Sequence, residues 1–401
     1  MFTDIHLRVW YHWRMPWLNE KTVMYQIFID RFARPRSDTR ASDTIPDTKP
    51  VFCGGNIRGI TEHFEHLKRL GVTALWISPF YKGETFHGYH TTDLMAVDER
   101  FGTEADLKEL IDLAHANKMK IVADLVPNHV SSQHPYFLEA RAESDSPYRN
   151  WFYFTKYPSE YLCFLDVGEL PKLNLDYPPA RTHVIGSARK WLSLGLDGFR
   201  LDHIPGPSND FWKEFLSTLR SEFPNAEFFG EAWLFGVKFS HLKTLRVSHK
   251  YLSWMLGTRF LMSQYLGLFP ALLDFDFNQL IRAYADGTKK KEWLMNALRA
   301  HFTRTQGTQM LTFLDNHDMD RISFVAHDDT DVLRDVAQIQ FSLPHPVIIY
   351  QGTEFAMTHE RGMASYASYG DMVARKMVPW ETGDGAIFDF YREIINHKTS
   401  A

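Results

Sequence analysis

The chain has 401 residues, 44% of them hydrophobic, enough for one large barrel or two ordinary domains with a sizeable core. Its 44 Lys and Arg against 49 Asp and Glu leave a net charge of −5 without runs of like charge, which argues against nucleic acid and other polyanions as partners. No stretch of about 18 apolar residues occurs, and Met1 to Arg8 lacks a basic segment leading into an apolar run, so a cytoplasmic protein outside the membrane is expected.

From Val23 onward, short β-rich runs alternate with amphipathic stretches. The pattern predicts a strand over 23–28, a helix over 63–70, a strand over 73–78, a helix over 104–117 and a third strand over 120–125. An irregular stretch rich in Pro, Tyr, Phe and Ser follows over 131–179. Alternation resumes with a helix over 180–194, a strand ending at Asp202, a helix over 210–222 and a strand ending at Glu231. Later strands are predicted over 271–275, 310–314 and 346–350, and a last helix over 386–397. Eight such strands predict a (β/α)8 TIM barrel built from residues 1–130 and 180–401, with 131–179 as a small subdomain inserted after strand three. The runner-up is an open doubly wound sheet, which would carry a glycine-rich phosphate turn after an early strand; Gly54-Gly55 follows a loop instead. Cys53 and Cys163 have neither CxxC nor His spacing, so two idle thiols are expected.

Two acids each close a short apolar run: Asp202 in Leu196-Asp197-Gly198-Phe199-Arg200-Leu201-Asp202, and Glu231 in Glu227-Phe228-Phe229-Gly230-Glu231. In a barrel, strand ends deliver side chains to one shared mouth. The same reading places Asp124, Asn128 and His129 at strand three, Arg200 on strand four, and Asn316, His317 and Asp318 after strand seven. Paired carboxylates at a shared mouth, one ionised and one protonated, are what cleavage of a glycosidic bond requires. Arg200 stands two residues from Asp202, so both side chains share a strand face and the guanidinium is expected to keep Asp202 ionised near neutral pH. The 11 Trp and 17 Tyr hint at carbohydrate, whose C–H faces pack against aromatic rings.

Four segments carry a resemblance: Asp124-Leu125-Val126-Pro127-Asn128-His129, Gly198-Phe199-Arg200-Leu201-Asp202, Gly230-Glu231-Ala232-Trp233 and Phe313-Leu314-Asp315-Asn316-His317-Asp318. In order and spacing they resemble the conserved regions of the α-amylase superfamily of glycoside hydrolases. Tyr25-Gln26-Ile27-Phe28-Ile29-Asp30-Arg31-Phe32 and Leu170-Pro171-Lys172-Leu173-Asn174 are similar to segments of its neopullulanase, maltogenic amylase and cyclomaltodextrinase group, and Tyr350-Gln351-Gly352-Thr353-Glu354 to the family's eighth strand end.

The resemblance implies Asp202 as nucleophile, Glu231 as general acid/base and Asp318 as transition-state stabiliser. It further implies that Tyr89 stacks beneath the sugar at the cleaved bond, that His129 and His317 donate to its hydroxyls, and that Arg200, His87 and Trp233 belong to the substrate site. The implied activity is retaining cleavage of α-1,4-glucosidic bonds, with α-1,6 bonds a possible addition, in maltooligosaccharides, starch or cyclodextrins through a covalent glucosyl-Asp intermediate. Alternatives are a transglycosylase or disaccharide isomerase built on the same residues, and a non-catalytic carbohydrate-binding subunit. No cofactor is required by this chemistry; calcium, held by many relatives, would find Asn128 as a weak candidate ligand, whereas Asp38, Asp43 and Asp47 read as a solvated acidic loop. The oligomeric state is left open.

Two departures from the family pattern stand out. Pro205 and Gly206 replace a Lys-His pair that many α-amylases carry on the acceptor side, so acceptor binding is expected to differ. Phe86-His87 replaces the Asp-Asn common in exo-acting relatives. The chain also lacks the pattern of the terminal β-sandwiches of many relatives, which fits either a barrel-only enzyme or a trimmed chain.

Overall fold

Eight parallel strands close into a barrel: β1 (Val23–Ile27), β2 (Ala74–Ile77), β3 (Lys120–Leu125), β4 (Gly198–Leu201), β5 (Glu227–Gly230), β6 (Ala271–Leu273), β7 (Gln309–Phe313) and β8 (Val347–Tyr350). Each pairs with its neighbours in sequence, and β1 pairs with both β2 and β8. This is the (β/α)8 architecture expected, and closure excludes the open doubly wound sheet. The computed structural model describes residues 15–38, 50–234, 236–380 and 385–400. The N-terminal segment Met1 to Arg8, Asp43 and Asp47 lie outside the described residues.

Barrel strands bury both faces, which is why they read as continuous apolar runs rather than alternating ones: β1, β2, β4, β5, β6 and β8 are buried at every position. The outer helices show the complementary stripe. Glu104–Ala116 buries Leu107, Leu110, Ile111 and Ala114, and opens with a capping box between Thr103 and Asp106. Asn209–Glu222 buries Phe211, Trp212, Phe215, Leu216 and Leu219 behind its Ser208 cap.

Several predicted boundaries move for identifiable reasons. The run read from Leu196 starts as a strand only at Gly198, because the Asp197 carboxylate turns aside to accept from Lys120 at 2.8 Å and the Ile121 amide at 2.9 Å. Gly198 sits at φ 150°, where a Cβ would lie 1.8 Å from the Glu227 carbonyl oxygen, so the close start of the β4–β5 pair requires glycine. β6 stops at Leu273 instead of residue 275, because Asp274 caps the next helix, Phe275–Ala285, by accepting from the Phe277 amide at 2.9 Å.

Two excursions depart from the predicted alternation. After β2 an antiparallel hairpin pairs Tyr81–Gly83 with Thr91–Val97 and carries His87 and Tyr89 on its connection. After β5 come a 3-10 turn, Phe239–Thr244, and two short helices, Lys250–Leu256 and Thr258–Ser263. Within the stretch over 131–179 the chain forms the helix Pro135–Ala142 and a small hairpin of Phe154–Lys156 with Glu160–Tyr161. Glu354, past β8, is a brace rather than a cavity residue: it accepts from Tyr25 at 2.5 Å and contacts His66 at 2.9 Å. Cys53 and Cys163 are free thiols. Among the described residues no helix is long and apolar enough to cross a membrane.

Candidate active site

Register brings the two acids together. Leu201 on β4 is matched to Gly230 on β5, so the next residues, Asp202 and Glu231, emerge side by side at the C-terminal rim. Asp124 on β3 is matched to Arg200 on β4, which sets a carboxylate against the guanidinium one layer below. Arg200 is 1% exposed and serves three acids: Nη1 donates to Asp124 and to Asp202, each at 2.7 Å, and Nη2 pairs with Glu231. The backbone of the following turn completes the arrangement. His203, at φ 44°, donates its amide N–H to Glu231 at 3.1 Å.

A cavity of about 380 Å³ opens above this layer. Asp202, Glu231, Asp318, His87, Tyr89, His129 and Trp233 all border it. Arg200, His317 and Asn128 are buried and do not line it. Phe164 and Leu165, from the stretch after β3, form one wall; Met363, Asp371 and Arg375, from the loops after β8, form another.

Three buried carboxyls facing one guanidinium cannot all ionise cheaply. Burial pushes Glu231 up to about 8; Arg200 opposes the rise, and the negative charges of Asp202 and Asp318 add to it. Burial also raises Asp202, with Arg200 pulling back, and takes Asp124 to about 7. The expectation that Arg200 favours ionised Asp202 has the right sign, but enclosure outweighs it. Asp318 goes the other way. Burial opposes its charge, yet His317, Arg375 and Arg200 together hold the carboxyl below its ordinary value.

Arg375 was not identified from the sequence. Its Nη2 donates to Asp318 at 2.6 Å, its Nε donates to the His317 carbonyl at 2.9 Å, and Asp371 pairs with Nη1. It lies in an irregular loop with no periodicity to mark it, and only proximity in space reveals its role as counter-ion to Asp318.

The histidines differ in what they can offer. The Gln26 amide donates to Nδ1 of His317 at 2.8 Å, which places the ring proton on Nε2. That nitrogen is already committed, at 2.8 Å from the Tyr89 hydroxyl and 3.1 Å from Asp318. Burial lowers His317 to about 3, so the ring is neutral. His129 receives the Asn128 amide on Nδ1 at 3.2 Å, and its buried Nε2 has no side-chain partner. The His129 ring borders the cavity beside the Tyr89 backbone, which a ligand hydroxyl would meet from the same side. Tyr89 donates to Asp124 at 2.9 Å, and its ring lies within 7° of parallel to the His317 ring. His87 points inward and accepts from the Tyr89 amide at 3.1 Å. Trp233 stacks one face on Phe275 at 4.7 Å. Asn316 braces the turn by accepting from the Asp318 amide at 2.8 Å.

The surroundings of Asn128, the weak candidate for calcium, can be compared with what that ion needs. Its side-chain oxygen accepts from the Lys172 ammonium at 2.6 Å, and the same ammonium donates to the Gly206 carbonyl at 2.9 Å. Burial and Arg246 lower Lys172 to about 7, so its charge alone does not exclude a cation, but its nitrogen occupies the position a divalent ion would need between the Asn128 and Gly206 oxygens, and these residues do not fit the ion. The departure at Gly206 follows from the same contact, since a Cβ there would lie 1.9 Å from the Asn128 oxygen. Among the described residues no group of three or more His, Cys, Asp or Glu side chains is arranged to hold a metal.

A closed (β/α)8 barrel with carboxylates on neighbouring strand ends, bridged by one arginine beneath a cavity, is an architecture of barrel glycoside hydrolases. The family model described as the catalytic domain of alpha amylase matches residues 26–395, and the chain belongs to that family. Alpha-amylase 2 of Dictyoglomus thermophilum is 32% identical over 391 residues, covering 96% of this chain and 64% of that protein. A cyclomaltodextrinase from a Bacillus species is 28% identical over 397 residues, covering 94% and 65%. The solved type III pullulan hydrolase from Thermococcus kodakarensis matches with a TM-score of 0.78 at 25% identity, over 96% of this chain and 70% of that one. The chain thus spans a little under two thirds of the length of these two curated relatives.

Proposed function

We propose that the chain is a retaining α-glucan hydrolase. The observation that carries this reading is the Arg200 bridge: it sets Asp202 and Glu231 on one guanidinium while burial holds the proton on Glu231. Asp202 attacks the anomeric carbon as the Glu231 proton passes to the leaving oxygen, forming a glycosyl-Asp202 ester. Glu231, now ionised, takes a proton from water, whose oxygen attacks the same carbon and releases Asp202. Asp318, kept charged by Arg375, faces the cation-like transition state, and His129 Nε2 donates to a sugar hydroxyl. The names of the relatives support α-linked maltooligosaccharides, cyclodextrins or pullulan as substrates.

The test is a timed product profile of the purified protein with maltohexaose, β-cyclodextrin and pullulan, with Glu231→Gln as control. Short products of retained α configuration that vanish in the control are expected; absence of products from all three would refute the reading.

The charge arrangement predicts a bell-shaped dependence of kcat/KM on pH. Rates fall on the acid side as Asp202 is protonated, at a pH above the ordinary aspartate value, and on the alkaline side near pH 8 as Glu231 loses its proton. With a fluoride leaving group, which needs no proton, the alkaline limb should flatten. An identical alkaline limb for fluoride and glucan substrates would rule out Glu231 as the acid.

The Lys172 contact predicts that the site works without calcium at Asn128. Dialysis against EDTA should leave kcat and Tm unchanged, whereas Lys172→Met, which strands the Asn128 and Gly206 oxygens, should lower stability by about 1–3 kcal/mol. Activity lost to EDTA and restored by calcium would overturn this.

A further inference from the structure

We propose that Asp166 and Lys243 form a clasp across the acceptor side of the cleft and that this clasp limits the bulk of substrate admitted there; the inference rests on the glycosidase reading above. Glu231 protonates the leaving oxygen, so the departing part of the substrate passes the segment that follows Glu231 in the chain. That segment carries Trp233 and Val237 on the cavity wall and then the turn Phe239–Thr244. Facing it is the turn Phe164–Asp166, whose Leu165 also borders the cavity.

The two turns meet at one carboxylate. Asp166 Oδ1 lies 3.1 Å from Lys243 Nζ, and Oδ2 lies 3.4 Å from His241 Nε2. His241 accepts the Lys238 amide on Nδ1 at 3.0 Å, so the proton on Nε2 faces Asp166 even when the ring is neutral. The connection therefore joins the excursion after β3 to the excursion after β5, over a cavity that both border.

Two observations mark this contact as a gate rather than a fixed wall. Leu165 and Asp166 both adopt left-handed backbone, at φ 48° and 60°, a conformation that non-glycine residues avoid and that surrounding contacts must hold. The ion pair is one of the contacts that hold it, beside a hydrogen bond from the Ser240 side chain, and it is weak, because Asp166 is 38% and Lys243 56% exposed, and water and salt screen it. The wall beneath stays anchored independently: Phe164 stacks on His129 at 4.7 Å, and its amide donates to the Leu170 carbonyl at 2.9 Å.

The experiment compares the wild type with Lys243→Glu, which turns attraction into repulsion, and with Lys243→Arg, which keeps the charge. Lys243→Glu should raise the ratio of kcat/KM for β-cyclodextrin over maltotriose by about threefold or more, and Lys243→Arg should leave it unchanged. Amide hydrogen exchange over residues 164–170 should accelerate in Lys243→Glu alone. An unchanged size ratio together with activity on maltotriose overturns the clasp and leaves the glycosidase reading standing. If the wild type cleaves neither these sugars nor maltohexaose and pullulan, that reading fails instead, and unaltered exchange in Lys243→Glu then overturns the clasp on its own.

Discussion

Glu231→Gln is expected to lower kcat on maltooligosaccharides by about 10²–10⁴-fold, the range for loss of a general acid–base group, with the fold retained. The amide keeps the shape of the side chain and one acceptor oxygen for the His203 N–H, but it has no proton to give. Two further measurements separate this loss from a structural one. Attack by Asp202 on α-maltosyl fluoride needs no acid, so the first step should survive with that substrate. Azide, which needs no base, should then release the intermediate as an α-configured azide product. Asp202→Asn removes the nucleophile itself and should be inactive on both substrates with or without azide. Near-wild-type turnover in either folded variant would remove the assigned roles.

Arg200→Met carries the second large effect. The substitution leaves Asp124, Asp202 and Glu231 buried with no cation between them, whereas all three now contact one guanidinium. Removing one partner of a buried charge cluster typically costs about 3–5 kcal/mol, and the remaining carboxyls would hold protons to higher pH. The sign follows from linkage: with raised folded-state values, stability is present at low pH, where the carboxyls are protonated in both states, and is lost as the pH rises and they are driven to ionise. Denaturant melts should therefore show the variant closest to wild type near pH 4–5 and increasingly deficient towards pH 8. Turnover should be strongly lowered across the pH range, because a protonated Asp202 does not attack and, where it ionises, Glu231 is losing the proton the leaving oxygen needs. Equal stability of the two proteins at pH 8 would show that Arg200 is not the counter-ion of this cluster. Lysine should not rescue the variant, since it cannot reach two neighbouring acids with a planar fork.

What could be read from the sequence follows a physical rule. Asp202 and Glu231 were visible because a charged residue closing a run of residues buried on both faces has few places to go except the barrel mouth. Arg200 was visible because a spacing of two on a strand shares a face. Arg375, Asp371 and Phe164 were not visible, because each reaches the cavity from an irregular segment where spacing carries no direction. The hairpin after β2 was missed for a related reason. Its second strand, Thr91–Val97, is largely half-exposed and lacks the apolar continuity that marks the barrel strands.

By itself the sequence determined the number and order of the barrel strands, the identity of the three rim carboxylates and the family to which the chain belongs. All of these depend on local runs and fixed spacings. Only the tertiary structure decided which carboxyl keeps its proton, what balances Asp318, and why Gly206 stands beside Asn128. Protonation depends on how completely a group is enclosed and which charges lie within a few ångströms. Those distances are set by segments far apart in the chain, as in the Lys172 ammonium that occupies the Asn128 oxygen and the Asp166 carboxylate that meets Lys243.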